Sequence, residues 1–145
     1  MRKIIPFVVF MVLAMMGCTS LDCPLNNTVY TKYKLMGDNK TLKDTLTIST
    51  KKIAGTDSVL INKDVNVDSF SLPMSYSLDE DVLFFEIHTL SKQVFKDTVT
   101  VSKENRSHFE SVDCSPSFFH TITDVKTTHN YIDSIVKIGR ASCRE

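Results

Sequence analysis

The four histidines, His88, His108, His120 and His129, stand too far apart to form an H-x-H or H-E-x-x-H pair, the spacings that bring two imidazoles to one metal ion. His88 and His120 fall in strand-like stretches, where a histidine on the polar face is the ordinary case. His108 precedes Glu110 and Asp113 and could join a metal site only through tertiary contacts. Asp79-Glu80-Asp81 lacks the glycine and the spaced oxygens of a calcium loop, and reads as a solvated hairpin turn. For nucleophilic catalysis there is no G-x-S-x-G, and Gly37 and Gly55 stand alone rather than forming a phosphate-cradling loop. The expectation is therefore a non-enzyme, with no catalytic residue, no metal and no cofactor.

The cysteines carry more information. Met1-Arg2-Lys3 is a basic start, and Ile4 to Met16 is an unbroken apolar run. Thirteen helical residues reach about 20 Å, short of the roughly 30 Å of a bilayer core, so the run suits a signal peptide better than a membrane span. Gly17-Cys18 closes it with the small-residue-then-cysteine junction of a lipobox, in relaxed form because Met15 fills the usual leucine-like position. Residues 1–17 are expected to be cleaved and Cys18 to be acylated. Two or three acyl chains anchor a protein stably where one does not.

At the other end, the octapeptide Ile138-Gly-Arg-Ala-Ser-Cys-Arg-Glu145 resembles the translation of a sequencing-adapter read. It is set aside as a non-native tail, with the native chain expected to continue past Val136. Without residues 1–17 and 138–145, thirteen basic and sixteen acidic residues remain, a net charge of −3. That charge, with lysines dispersed, offers no footprint for nucleic acid. No basic amphipathic stretch is present, so the membrane partner is reached through the lipid on Cys18.

Two cysteines then remain, Cys23 and Cys114. In an oxidising envelope an even pair reads as a disulfide, the alternatives being two free thiols or a metal pair without ligand spacing. The bridge would close a loop of about 90 residues, worth about 4–5 kcal/mol in the chain-entropy model.

These groups need elements to position them. No window after Cys18 keeps apolar residues at helical spacing, whereas alternation and β-branched residues recur between polar turns. Strands are expected at 29–35, 45–50, 58–62, 70–76, 82–89, 94–102, 108–114, 118–125 and 131–136, with Lys103 to Arg106 as a turn. Pro73 marks an edge or bulge. Eight or nine short strands in 120 residues indicate an all-β chain, an antiparallel β-sandwich of Ig-like or transthyretin-like kind, rather than a barrel. The organisation is a tether over 18–25 and one domain over 26–137.

Two segments, Leu21 to Tyr30 (LDCPLNNTVY) and His108 to Ser117 (HFESVDCSPS), with the strand spacing between them, resemble a family of small uncharacterised lipoproteins from Bacteroidetes-type bacteria. The likeness covers residues 18–136. It implies a paired Cys23 and Cys114, a further C-terminal strand, and no assigned activity.

Asp44-Thr45-Leu46, Asp57-Ser58-Val59, Asp97-Thr98-Val99 and Asp133-Ser134-Ile135 look like the Asp-Ser/Thr-aliphatic O-glycosylation signal of that bacterial group. Twelve aspartates in this composition give roughly one such match by chance. Thr45, Ser58, Thr98 and Ser134 are the candidate acceptors, the competing explanation being that a turn acid before β-branched residues is how strands begin.

The expected function is that of an envelope lipoprotein, a non-catalytic structural or binding module with a protein or glycan partner. It would sit on the outer membrane facing the periplasm, since no aspartate follows Cys18 directly and no acidic export run is present. The alternatives are a fimbrial or adhesin-like subunit completed by a donated strand, and an envelope hydrolase.

Overall fold

A computed structural model describes residues 28–37, 40–51, 55, 57–109, 111 and 113–136. They form seven strands and no helix: β1 (Tyr30–Lys34), β2 (Thr45–Lys51), β3 (Asp57–Asp64), β4 (Ser69–Pro73), β5 (Glu80–His88), β6 (Val94–His108) and β7 (Ser117–Thr127). All pairings are antiparallel. One sheet has the order β3-β2-β5-β6-β7, and the second consists of β1 and β4 alone. The expected antiparallel β-sandwich is found, in a lopsided form of five strands against two.

Strand alternation explains how the sheets close on each other. Leu46 and Ile48 of β2, Leu83, Phe85 and Ile87 of β5, Val99 and Val101 of β6 and Ile122 of β7 are buried on one face. The small sheet and its flanks answer with Val29, Val67, Leu72 and Met74. Tyr33 of β1 stacks on Phe70 of β4 at 5.1 Å between ring centroids, and Phe70 meets Phe85 across the interface at 6.1 Å. Each such side chain contributes about 1.5–3 kcal/mol by leaving water. Pro73 stands at the end of β4, opposite Tyr30, where its missing N–H costs no interior ladder bond.

β5 and β6 are joined by Leu90-Ser91-Lys92. Lys92 N–H donates to Thr89 O at 2.9 Å, and Lys92 itself takes a left-handed φ of 65°. This is a three-residue hairpin loop with its left-handed position filled by lysine rather than glycine.

Three expectations at the level of strands are corrected. Lys103 to Arg106 is not a turn, because β6 runs through it for 15 residues to His108. His108 is the last residue of β6, and the described residues 109, 111, 113 and 114 of the expected strand from His108 to Cys114 lie outside any strand. Tyr131 to Val136 is not a strand either. Its first two N–H groups are bonded to a side chain, and Ile132 and Ile135 pack on the core with no ladder partner among the described residues. The first and last of these departures involve the inward face of β6, which buries Lys103 and Asp97.

Candidate functional site

Asp97, Val99, Val101 and Lys103 are consecutive inward positions of β6, all 3% exposed or less. An apolar centre thus carries one buried charge at each end. A buried charge is tolerated only when paired and hydrogen-bonded, so each end must gather partners.

Asp97 gathers the chain after β7. Its Oδ1 accepts from Thr128 Oγ1 at 2.6 Å and from Asn130 N–H at 2.8 Å. Oδ2 accepts from the N–H groups of Tyr131 and Ile132 at 2.8 and 2.9 Å. Burial works against ionisation, and these bonds outweigh it, holding the carboxyl down at about 2. Tyr131 is fixed further by its hydroxyl donating to Asp44 Oδ2 at 2.8 Å and by its ring against Phe95 at 5.1 Å. Burial and Asp44 together raise its phenol pKa.

Lys103 gathers the loop before β5. Its ammonium, with a fully buried side chain, donates to Leu78 O at 2.6 Å and lies 2.9 Å from Asp81 Oδ2. Its own backbone N–H donates to Asp79 O at 2.8 Å. Asn105, two residues on, donates from Nδ2 to Leu78 O at 2.9 Å and accepts at Oδ1 from His120 Nδ1 at 2.7 Å. That contact sets the tautomer, since only a protonated Nδ1 can donate to an amide oxygen. Burial, then the Lys103 charge, lowers the pKa of His120, with Asp81 opposing. Burial and the Asp81 charge push Tyr33 up to about 12.

Two side-chain expectations change here. His120 is 4% exposed on the inner face, not on a polar face. Asp79-Glu80-Asp81 is not a purely solvated turn, because Asp81 enters β5 on the inner face as the partner of Lys103.

The outer face of the five-stranded sheet is built differently. Thr47, Glu86 and Lys96 lie side by side across β2, β5 and β6, and Ser49, Phe84 and Thr98 form the adjacent row. They line a depression of about 320 Å³, to which β3 adds Asp57. Glu86 is bracketed by His88 Nε2 at 2.6 Å and Lys96 Nζ at 3.0 Å. Hydrogen bonds from His88, then from Lys96, lower its carboxyl pKa.

The residues singled out from sequence are dispersed. Cys18 and Cys23 fall outside the described residues, as do the signal peptide and the tail. Cys114 is half-buried in the turn before β7. Thr45 and Thr98 are half-buried on the outer face of β2 and β6. Ser58 pairs with Thr50, which pairs with Leu83, so it belongs to the inner row at the sheet's edge. Ser134 is exposed after β7. Asp44 and Asp97, the acids before Thr45 and Thr98, hold backbone and side-chain groups of other segments. His88 sits at the end of β5, and His108 meets the edge of Phe119 at 6.1 Å. His129 Nδ1 donates to Asp133 O at 2.6 Å. Among the described residues no group of three or more His, Cys, Asp or Glu could hold a metal ion.

Sequence reasoning missed Asp97, Lys103, Asn105 and the Phe84-centred depression. The usable signal was phase, since Asp97 and Lys103 keep step with Val99 and Val101.

The fold and its surfaces define a small antiparallel β-sandwich domain with a mixed polar and aromatic outer face. Residues 45–140, from the start of β2 past β7, match a family of unknown function, DUF6452, and the chain belongs to that family. No curated protein and no solved structure matches it.

Proposed function

We propose that this protein is a membrane-anchored envelope lipoprotein whose β-sandwich is a non-catalytic binding module working through the outer face of its five-stranded sheet. The observation that carries the proposal is the division of labour between the faces. The buried ionisable groups of the inner face are committed to bonds that hold the loop before β5 and the chain after β7. The outer face carries a lined depression whose charged groups are solvated rather than poised as a nucleophile and its base.

In this proposal the signal peptide 1–17 is removed, Cys18 is acylated, and the domain faces the periplasm from the outer membrane. Cys23 is the partner of Cys114, which ties the start of the domain to the turn before β7. The partner recognised is an envelope protein or glycan.

Detergent-phase partition of the exported protein, with a panel of chromogenic esters and glycosides, tests the proposal. Wild type should enter the detergent phase, Cys18→Ala should stay in the aqueous phase, and neither should turn over any substrate. Aqueous wild-type protein, or turnover removed by substitutions at Glu86, would refute it.

A further inference from the structure

The lining of the outer-face depression restricts its ligand by chemistry. Phe84 is a half-buried aromatic with Ser49 and Thr98 as its cross-strand neighbours, so hydroxyls flank the ring on both sides. Glu86 and Lys96 pair in the next row at 3.0 Å, adding an acceptor and a donor whose charges offset each other.

An anion placed here meets Glu86 and Asp57, and the carboxylate a cation would seek beside Phe84, that of Glu86, is already paired with Lys96. A wholly apolar ligand would take the flanking hydroxyls out of water without replacing their hydrogen bonds. What satisfies every group is an uncharged ring with one C–H face and a rim of hydroxyls. A volume of about 320 Å³ is at the small end of ligand sites and suits one or two such rings.

We infer that this depression binds a neutral saccharide, with Phe84 under the C–H face of a pyranose ring and Thr47, Ser49, Glu86 and Lys96 bonding its hydroxyls. The inference rests on the outer-face reading above and adds the class of ligand. The Glu86–Lys96 pair serves as a bidentate edge rather than a charge trap, and affinity is insensitive to salt because no net charge is exchanged.

Calorimetric titration of the acylated protein, held in a sugar-free zwitterionic detergent, tests this with chitobiose, cellobiose and maltose. At least one disaccharide should bind at millimolar concentration or below. Affinity should fall at least tenfold in Phe84→Ala, recover in Phe84→Tyr and fall severalfold in Glu86→Gln, each variant melting within a few degrees of wild type. If Phe84→Ala does not fold, Glu86→Gln alone decides between loss and no loss.

Binding unchanged by these substitutions would overturn the site. No binding of any of the three, by protein that still enters detergent and turns nothing over, would overturn the saccharide and leave the lipoprotein module standing. Cleavage of a disaccharide would instead overturn the non-catalytic reading itself.

Discussion

Replacing Lys103 by Met keeps most of the buried stem and removes the ammonium. Asp81, with a side chain only 12% exposed, then loses the cation beside it and retains the Ser75 N–H at 3.2 Å. Leu78 O retains the Asn105 amide. Removing one partner of a buried ion pair costs about 3–5 kcal/mol, a large part of a typical domain's total stability. Urea unfolding followed by circular dichroism measures the loss as a lower midpoint at unchanged slope. The double variant Lys103→Met/Asp81→Leu should recover much of it, because the uncompensated charge has gone. A loss below about 1 kcal/mol in Lys103→Met, the behaviour of an exposed turn lysine, would refute the buried anchor and with it the continuity of β6.

Asp97→Asn should cost about 2 kcal/mol, since an amide offers one acceptor where four donors converge. Because the folded carboxyl titrates at about 2, below its ordinary 3.8, the stabilisation is present above pH 4 and lost as pH falls through 2. Acid melts of Asp97→Asn should lack that loss. His120 is held neutral by burial, so the unfolded chain binds its proton more readily. Stability should fall as pH drops below about 6.5, and His120→Gln should flatten that slope in pH-dependent melts. Lys92→Gly should raise stability by about 0.5–1 kcal/mol in thermal melts, by relieving the left-handed conformation of an exposed residue.

The sheet was legible where alternation is apolar. Leu46 and Ile48, or Phe95, Val99 and Val101, announce their faces by period alone, and Val82 to Thr89 marks a central strand by its hydrophobicity. It failed where the inward face turns polar. Lys103-Glu-Asn-Arg106 has the composition of a turn, and its ladder with Phe119 to Ile122 of β7, with Lys103 buried against Asp81 22 residues earlier in the chain, makes it strand. Tyr131 to Val136 has the alternation of a strand, yet the Asp97 carboxylate takes the N–H groups a ladder would have used. The outer depression was hidden for another reason. Thr47, Ser49, Phe84, Glu86, Lys96 and Thr98 come from three strands, and no local spacing announces a cross-strand register.

The claim that the outer face of the five-stranded sheet is the working surface is tested most directly by hydroxyl-radical footprinting, comparing protein in intact envelopes with the purified, detergent-solubilised protein. Phe84 reports on the depression, and Met36, Tyr76 and Phe109, exposed at 62–67%, serve as references away from it. The account predicts severalfold lower oxidation of Phe84 in the envelope, with the three references oxidised equally in both. Equal oxidation of Phe84 in both states would contradict it, and protection confined to the references would place the working surface elsewhere.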